Sequence, residues 1–192
     1  MKIQVIYSSL SGRTKRLAEA IADGMSKEDN CTIHNLKDGE PVLDGDIILL
    51  GYWVDKGGPE QKMKAFMEKV EGKAVGIFCT LGFYADSAHA HDSIVNGVNA
   101  VKEKNTVIGS YVCNGALSEQ IIAMFRQRGG NGTHSASPEN EIRWNVMKNH
   151  PTDAECELAK ERFRERVEIY KQFTKEGLLL KSILPMKEQE KK

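Results

Sequence analysis

Hydroxyl side chains cluster directly after the first apolar segment, at the point where a helix is expected to begin. Ser9, Ser11 and Thr14 surround Gly12, and residues 2–7 before them form a short apolar run. A helix N-terminus has unpaired N–H groups and a partial positive charge, and hydroxyl groups add further donors. Such a turn can bind a phosphate dianion with few or no cationic side chains. The alternative at this point is a hydroxyl-rich helix cap.

The glycine pattern of this turn excludes two other phosphate-binding loops. A nucleotide P-loop requires Gly-x-x-x-x-Gly-Lys followed by Ser or Thr. The dinucleotide fingerprint requires Gly-x-Gly-x-x-Gly. Because the turn contains a single glycine, Gly12, it matches neither of these motifs.

Alternating apolar and amphipathic segments are expected to position this turn. Strands are predicted near 2–7, 32–36, 46–51, 74–80 and 106–113, and the third is continuously apolar, as in a parallel strand buried on both faces. Helices are predicted after Gly12 and near 59–70, 88–104 and 153–175. The predicted inward residues are Met63, Phe66, Met67 and Val70 in the second helix and Leu158, Phe163, Val167 and Tyr170 in the last. This alternation implies a parallel sheet covered on both sides, with right-handed crossovers.

The pattern Ser9-x-Ser11-Gly12-x-Thr14 resembles the loop with which flavodoxins bind the phosphate of FMN. The resemblance covers roughly residues 2–115 and the last helix. It implies a flavodoxin-like, doubly wound α/β fold with a five-stranded parallel sheet in the order 2-1-3-4-5 and helices on both faces. It also implies a single FMN-binding domain over residues 1–175, followed by a tail at 176–192. Ligands of such sheets bind beyond the carboxyl ends of the strands, so the loops after strands one, three and four form the expected site.

The same resemblance implies a role for each of the two later loops. The loop at 51–59 would wall the flavin ring with aromatic residues, and a peptide within 55–58 would reorient to bond the reduced ring. The loop at 80–87 would cover the other face, with Phe83 or Tyr84 stacked on the ring and backbone N–H groups of 81–83 on its pyrimidine edge. The stretch at 51–59 alone also fits a loop with two partly buried aromatic residues. The predicted cofactor-binding residues are Ser9, Leu10, Ser11, Gly12, Arg13, Thr14, Tyr52, Trp53, Val54, Asp55, Lys56, Gly57, Thr80, Leu81, Gly82, Phe83 and Tyr84.

Three functions are compatible with such a protein. The resemblance implies a non-covalent FMN protein that carries electrons between redox protein partners, a reductase and an acceptor. An alternative is an FMN-dependent reductase of quinones or other small molecules that uses NAD(P)H and a site partly built from residues 116–150. A third is a flavin-binding interaction module whose tail docks on a partner. No side chain is predicted to be catalytic, because the flavin carries the chemistry.

Two segments have no counterpart in the resemblance. Residues 116–150, which contain the glycine-rich stretch 126–132 and Trp144, could form a lid over the flavin, a partner surface, or a solvated excursion with a short helix near 118–125. The tail at 178–186 is apolar and too short to span a membrane. Either it packs on the domain, or it meets a partner or a second subunit, as in a homodimer.

Composition narrows the function classes further. The 27 basic and 27 acidic residues give a formal net charge of zero, which argues against binding nucleic acid through a global positive field. It also departs from the acidic composition typical of flavodoxins. The four cysteines form no Cys-x-x-Cys pair and His89 and His91 have no second ligand cluster, so neither disulfides nor a metal site are predicted. Without a signal-peptide or membrane-span pattern, a cytoplasmic location is expected.

Overall fold

Strands and helices alternate along the chain in this computed structural model, which describes residues 1–128 and 135–185. The strands are β1 (Lys2–Tyr7), β2 (Asn30–Asn35), β3 (Ile47–Asp55), β4 (Gly58–Pro59), β5 (Ala74–Leu81) and β6 (Thr106–Asn114). The helices are α1 (Arg13–Asp23), α2 (Gln61–Met67), α3 (Ala88–Asn99), α4 (Glu119–Arg128), α5 (Pro138–Val146) and α6 (Asp153–Lys175). Residues 129–132 of the predicted glycine-rich stretch lie outside the described residues. So does the part of the predicted tail from residue 186 onwards.

The sheet has the strand order expected of a doubly wound fold. Its parallel strands run in the order β2-β1-β3-β5-β6, which is the predicted order 2-1-3-4-5 once the short β4 is set aside. The two residues of β4 add an antiparallel hairpin at the end of β3. Because β2 and β3 pair with opposite edges of β1, the strand order reverses there. A crevice opens at the carboxyl ends of the strands at such a reversal.

Helices bury both faces of the sheet. Every residue of β5 is buried, as expected for a central parallel strand. One face packs against α1 and α6 through residues that include Leu17, Ile21, Phe163 and Val167. The other packs against α2 and α3 through residues that include Met63, Phe66, Met67, Ile94 and Val98. In the part of the chain that the structure describes, none of the helices is long and apolar enough to cross a membrane.

Some predicted boundaries and one predicted core residue differ from the structure. β3 extends past residue 51 to Asp55 because Val54 and Asp55 pair with β4. α2 begins only at Gln61, since the carboxylate of Glu60 caps it by accepting from the backbone N–H of Met63 at 2.8 Å. Leu158 is 53% exposed, so its predicted place in the core is wrong. The inward face of α6 carries Cys156, Ala159, Phe163 and Val167, which recur every three or four residues.

The tail returns to the edge of the sheet. The backbone N–H of Ile183 donates to the carbonyl of Val107 in β6 at 2.8 Å, and Ser182 Oγ accepts from the Val107 N–H at 3.0 Å. Leu180 packs against the core beside α1 and α6. The tail therefore packs on the rest of the chain and covers part of an edge strand, while Leu179 remains 94% exposed.

Candidate functional site

The turn between β1 and α1 forms a backbone cradle at a helix N-terminus. Gly12 occupies the N-cap position with φ of 83°, a conformation that glycine adopts without strain. No heavy atom lies within 4 Å of the position that a Cβ would take there, so the space above the turn is open. In the described structure no side chain caps α1, which argues against the helix-cap alternative. The first N–H groups of α1 are thus available to an acceptor from outside the helix.

The hydroxyl groups of the turn have different environments. Ser9 Oγ is buried and has no hydrogen-bond partner among the described residues, while Ser11 is exposed. Thr14 is 1% exposed, and its Oγ1 lies 2.9 Å from Thr80 Oγ1 at the end of β5. A buried donor without an acceptor costs about 1–3 kcal/mol. An anion in the turn would supply the missing acceptor, so the residues present fit a phosphate group.

Arg13 joins this turn to the segment after α5. Its Nη2 donates to the carbonyl of Lys148 at 3.3 Å, and its Nε is buried without a partner among the described residues. The next arginine along the chain, Arg16, donates to Asp153 at 2.5 Å and to the carbonyl of Pro151. These contacts hold the chain that follows α5 against the start of α1.

The end of β3 presents only one of its two aromatic side chains to the site. Tyr52 is fully buried on the α3 side of the sheet, and its hydroxyl donates to the carbonyl of Ser93 at 2.7 Å. A predicted role for its ring as a wall of the site is therefore wrong. The reason is that β3 continues to Asp55, so alternation turns residue 52 into the core. Trp53 and Val54 are half-buried and line the cleft at the strand ends.

A tight hairpin turn joins β3 to β4. Lys56 and Gly57 both have positive φ, 49° and 80°, as in the two-residue turns that match the twist of paired strands. The carbonyl of Gly57 accepts from Asn96 Nδ2 in α3 at 2.8 Å. The side chains of Asp55 and Lys56 are exposed and do not line the cleft. One peptide of the predicted stretch 55–58 is thus held by a helix.

The loop after β5 is packed closely against the segment that follows β6. A Cβ at Gly82 would lie 2.3 Å from Leu117 Cδ2, so a side chain there would collide. The N–H of Ala85 donates to Asn114 Oδ1 at 2.7 Å and fixes the loop. The rings of Phe83 and Tyr84 meet edge to face, with centroids 4.9 Å apart. They lie beyond Gly82 and do not line the cleft.

The three predicted loops meet at one open cleft. It is lined by predicted residues from all three loops: Leu10, Ser11, Arg13, Trp53, Val54, Thr80, Leu81 and Gly82. Sequence reasoning missed a fourth group that lines it: Gly115, Ala116, Leu117 and Ile121. These residues follow β6, whose carboxyl end reaches the same edge of the sheet, and that position is the signal that could have identified them. The cleft contains aromatic, apolar and backbone surface next to the turn at 9–14.

A second, wider cleft adjoins the first. It lies between the turn at 9–14 and helices α4 and α5, and it shares Ser11, Arg13 and Leu117 with the first cleft. Trp144 of α5 lines it and stacks on Phe125 of α4, with ring centroids 5.9 Å apart. The indole Nε1 of Trp144 is buried without a partner among the described residues.

Helix α5 also places a buried cation beside the loop after β5. Arg143 is 7% exposed, and its Cζ lies 4.5 Å from the ring centroid of Phe83 and 5.7 Å from that of Tyr84. Neither α5 nor Arg143 was among the sequence predictions. Because Arg143, Trp144 and Asn140 are all buried, the interpretation of this segment as a solvated excursion is wrong for α5.

The cysteines and histidines of the described structure form neither a disulfide nor a cluster of metal ligands. All four cysteines are free, and burial raises the pKa of Cys79 to about 12 and that of Cys31 to about 11. Such thiols stay protonated and are poor nucleophiles at neutral pH. His89 lies against Phe83, with ring centroids 6.3 Å apart. Within residues 1–128 and 135–185, no group of three or more His, Cys, Asp or Glu is placed to hold a metal ion.

Known proteins with related sequences and structures agree with this architecture. The chain is 32% identical over 152 residues to the flavodoxin-like domain-containing protein BilS of Clostridioides difficile (strain CD3), covering 78% of this chain and 84% of that protein. A flavodoxin from the domain Archaea superposes with a TM-score of 0.57 at 19% identity, over 89% of this chain and 99% of that one. The rubredoxin oxygen:oxidoreductase of Desulfovibrio gigas superposes with a TM-score of 0.58 at 13% identity, over 89% of this chain and 36% of that one. The model of the flavodoxin domain family matches residues 4–164, and the chain therefore belongs to the flavodoxin family.

Proposed function

We propose that this chain binds FMN non-covalently at the carboxyl ends of β1, β3 and β5 and carries electrons between redox protein partners. The observation that carries this proposal is the uncapped N-terminus of α1, with the buried, unpaired hydroxyl of Ser9 beside it. That pair of features fits a phosphate group, and the adjoining cleft offers aromatic and backbone surface to a flat ring. Bound FMN would supply the redox chemistry by taking up and releasing electrons.

The residues of the chain would bind and orient the cofactor. The N–H groups at the start of α1 and the hydroxyls of Ser9 and Ser11 would hold the phosphate. Thr14 has a supporting part, since its hydroxyl bonds Thr80 and ties the turn to β5. Trp53 and Val54 on one side and Leu81 and Gly82 on the other would enclose the ring, and Leu117 would limit the access of water.

A titration of the purified protein with two flavins tests the proposal. FMN and riboflavin share the ring and differ in the phosphate, so a phosphate site at the turn requires FMN to bind far more tightly. The decrease in flavin fluorescence gives both dissociation constants. Equal affinity for the two flavins would place the phosphate outside the turn, and no affinity for either would contradict the proposal as a whole.

The second cleft favours a second candidate function. The open cleft next to the turn, lined by residues of α4 and α5, could admit a small molecule close to the flavin. The chain would then be an FMN-dependent reductase that oxidises NAD(P)H. Stopped-flow mixing with NAD(P)H separates the two functions, because rapid direct reduction supports the enzyme and reduction only through a reductase protein supports the carrier.

We further propose that residues 1–175 act as one domain and that the chain works in the cytoplasm. The proposal of one domain is supported by the packing of α6 against α1 and against the sheet face that α1 covers. The four free thiols fit a reducing compartment, where disulfides are rare. The neutral net charge means that redox partners would recognise shape and local charges at the strand ends rather than a strong overall field.

A further inference from the structure

Arg143 is a buried cation that lacks an ionic partner in the described structure. Its side chain is 93% buried, as the 7% exposure shows, and its Nε and Nη2 atoms are buried without a hydrogen-bond acceptor. The nearest carboxylate in sequence, Glu141, forms a bidentate pair with Arg126, with both contacts at 2.6 Å. A guanidinium group removed from water is costly unless it is paired and hydrogen-bonded.

The contacts of Arg143 offset only part of the free energy that it costs to bury the guanidinium group. The guanidinium lies over Phe83 at 4.5 Å and near Tyr84 at 5.7 Å. Aromatic faces attract a cation, but they accept no strong hydrogen bonds from its N–H groups. The positive charge and two donors are therefore held ready for an anionic acceptor from outside the described residues.

The position of Arg143 indicates which anion this would be. Phe83 follows directly after Gly82, which lines the cleft where the three loops meet. A ring bound in that cleft would lie next to the loop against which the cation packs. When a reductase or a chemical reductant delivers two electrons and water supplies one proton, the neutral oxidised ring becomes a monoanion. A fixed positive charge favours that product over the neutral ring.

We propose that Arg143 is the residue through which this chain stabilises reduced, anionic FMN relative to oxidised FMN, acting from behind the loop of Phe83 and Tyr84. The proposal rests on the FMN site proposed above. Arg143 would act on the flavin through its charge, without contact, and α5 would thereby have a role at the flavin. Because the guanidinium is buried, salt screens it less than an exposed lysine.

Variants that change the charge of residue 143 without unfolding the protein test this role. Arg143→Gln removes the charge and retains polarity, Arg143→Met retains length and contact with the rings, and Arg143→Lys retains the charge. Arg164→Gln is the matched control, because Arg164 is exposed on α6 and pairs with Glu161 at 2.6 Å. Near-ultraviolet circular dichroism and thermal unfolding establish that each variant is folded. The readouts are the dissociation constants of oxidised and reduced FMN and the midpoint potential.

The neutral variants are expected to lose about tenfold in their preference for reduced over oxidised FMN, which corresponds to about 30 mV in the two-electron midpoint potential. Arg143→Lys and Arg164→Gln should stay near the wild-type potential, and the wild-type value should change little with salt. A wild-type potential in either folded neutral variant overturns the inference. So does failure of both neutral variants to fold, since the residue would then be structural. If wild-type protein binds no FMN at all, it is the proposed function that fails.

Discussion

At the level of single residues, the turn at 9–14 combines three features that together suit an anionic ligand. Gly12 has a positive φ with open space above it. The helix that starts there is uncapped, and the hydroxyl of Ser9 is buried without a partner in the described structure. A hydroxyl placed only for structure would accept from the helix N–H groups. These groups instead remain free for an anion.

Removal of the Ser11 hydroxyl is expected to weaken FMN selectively. Ser11→Ala removes one charge-assisted donor, which should cost about 1.5–3 kcal/mol in FMN affinity and leave riboflavin affinity unchanged. Thr14→Ala should weaken FMN too, and it should also lower the free energy of unfolding because it unpairs Thr80. Fluorescence titration with both flavins measures the effects, with Ser26→Ala in an exposed turn as control. Equal weakening of both flavins would show that the phosphate lies elsewhere.

Lys56 provides a second prediction at a single residue. It stands at the tip of the hairpin with an exposed side chain and a φ of 49°. If its ammonium group lies near the ring, it favours reduced FMN by on the order of 1 kcal/mol at a partly exposed site. Lys56→Glu should then lower the midpoint potential, and more so at low salt. Spectroelectrochemistry at two salt concentrations checks this, and an unchanged or raised potential would mean that the side chain points into solvent.

At the level of elements, the alternation along β3 decides which aromatic residue reaches the site. Tyr52 points into the core against α3, and a Cβ on Gly97 would lie 2.3 Å from its hydroxyl oxygen. Trp53, one position along, lines the cleft. The sequence pattern predicts a loop from residue 51, and side chains in a loop do not alternate between two faces. The extra strand length therefore changes the role of Tyr52.

Substitutions at these two neighbouring positions should affect different properties, stability for Tyr52 and FMN affinity for Trp53. Tyr52→Phe removes a buried hydrogen bond and should lower the free energy of unfolding by about 0.5–1.5 kcal/mol without changing FMN affinity. Trp53→Ala should weaken FMN by about 0.5–1.5 kcal/mol beyond the area lost and restore flavin fluorescence. Chemical unfolding and flavin titration of both variants check this. A loss of FMN affinity in Tyr52→Phe with unchanged stability would contradict the strand register.

The parts of the fold that local signals specify were predictable from sequence. α6 begins and ends where predicted, and a capping box formed by Thr152 and Glu155 marks its start. α5 was missed because its apolar residues are few, although Ser137 followed by Pro138 is a helix-start signal. The contact of Arg143 with Phe83 joins residues 60 positions apart in sequence, and no local pattern records it. The turn at 9–14 was predictable because its chemistry lies within six consecutive residues.

At the level of the whole molecule, charge is balanced overall but placed unevenly. The net charge is zero, yet the strand-end site has Arg13 in the turn and Arg143 behind the loop of Phe83 and Tyr84. An acidic protein would repel added electrons on a bound flavin, whereas these cations favour them. We therefore expect the potential of the step that gives fully reduced FMN to be less negative in this protein than in acidic flavodoxins.

Binding of FMN at the strand ends can be tested by the visible absorbance spectrum of the purified protein. After reconstitution with excess FMN and removal of free flavin, the account predicts a yellow protein with flavin absorption bands and close to one FMN per chain. FMN should be released intact on denaturation, since the binding is non-covalent. Ser11→Ala prepared in the same way should retain less. A wild-type protein that emerges colourless from this procedure would contradict the account.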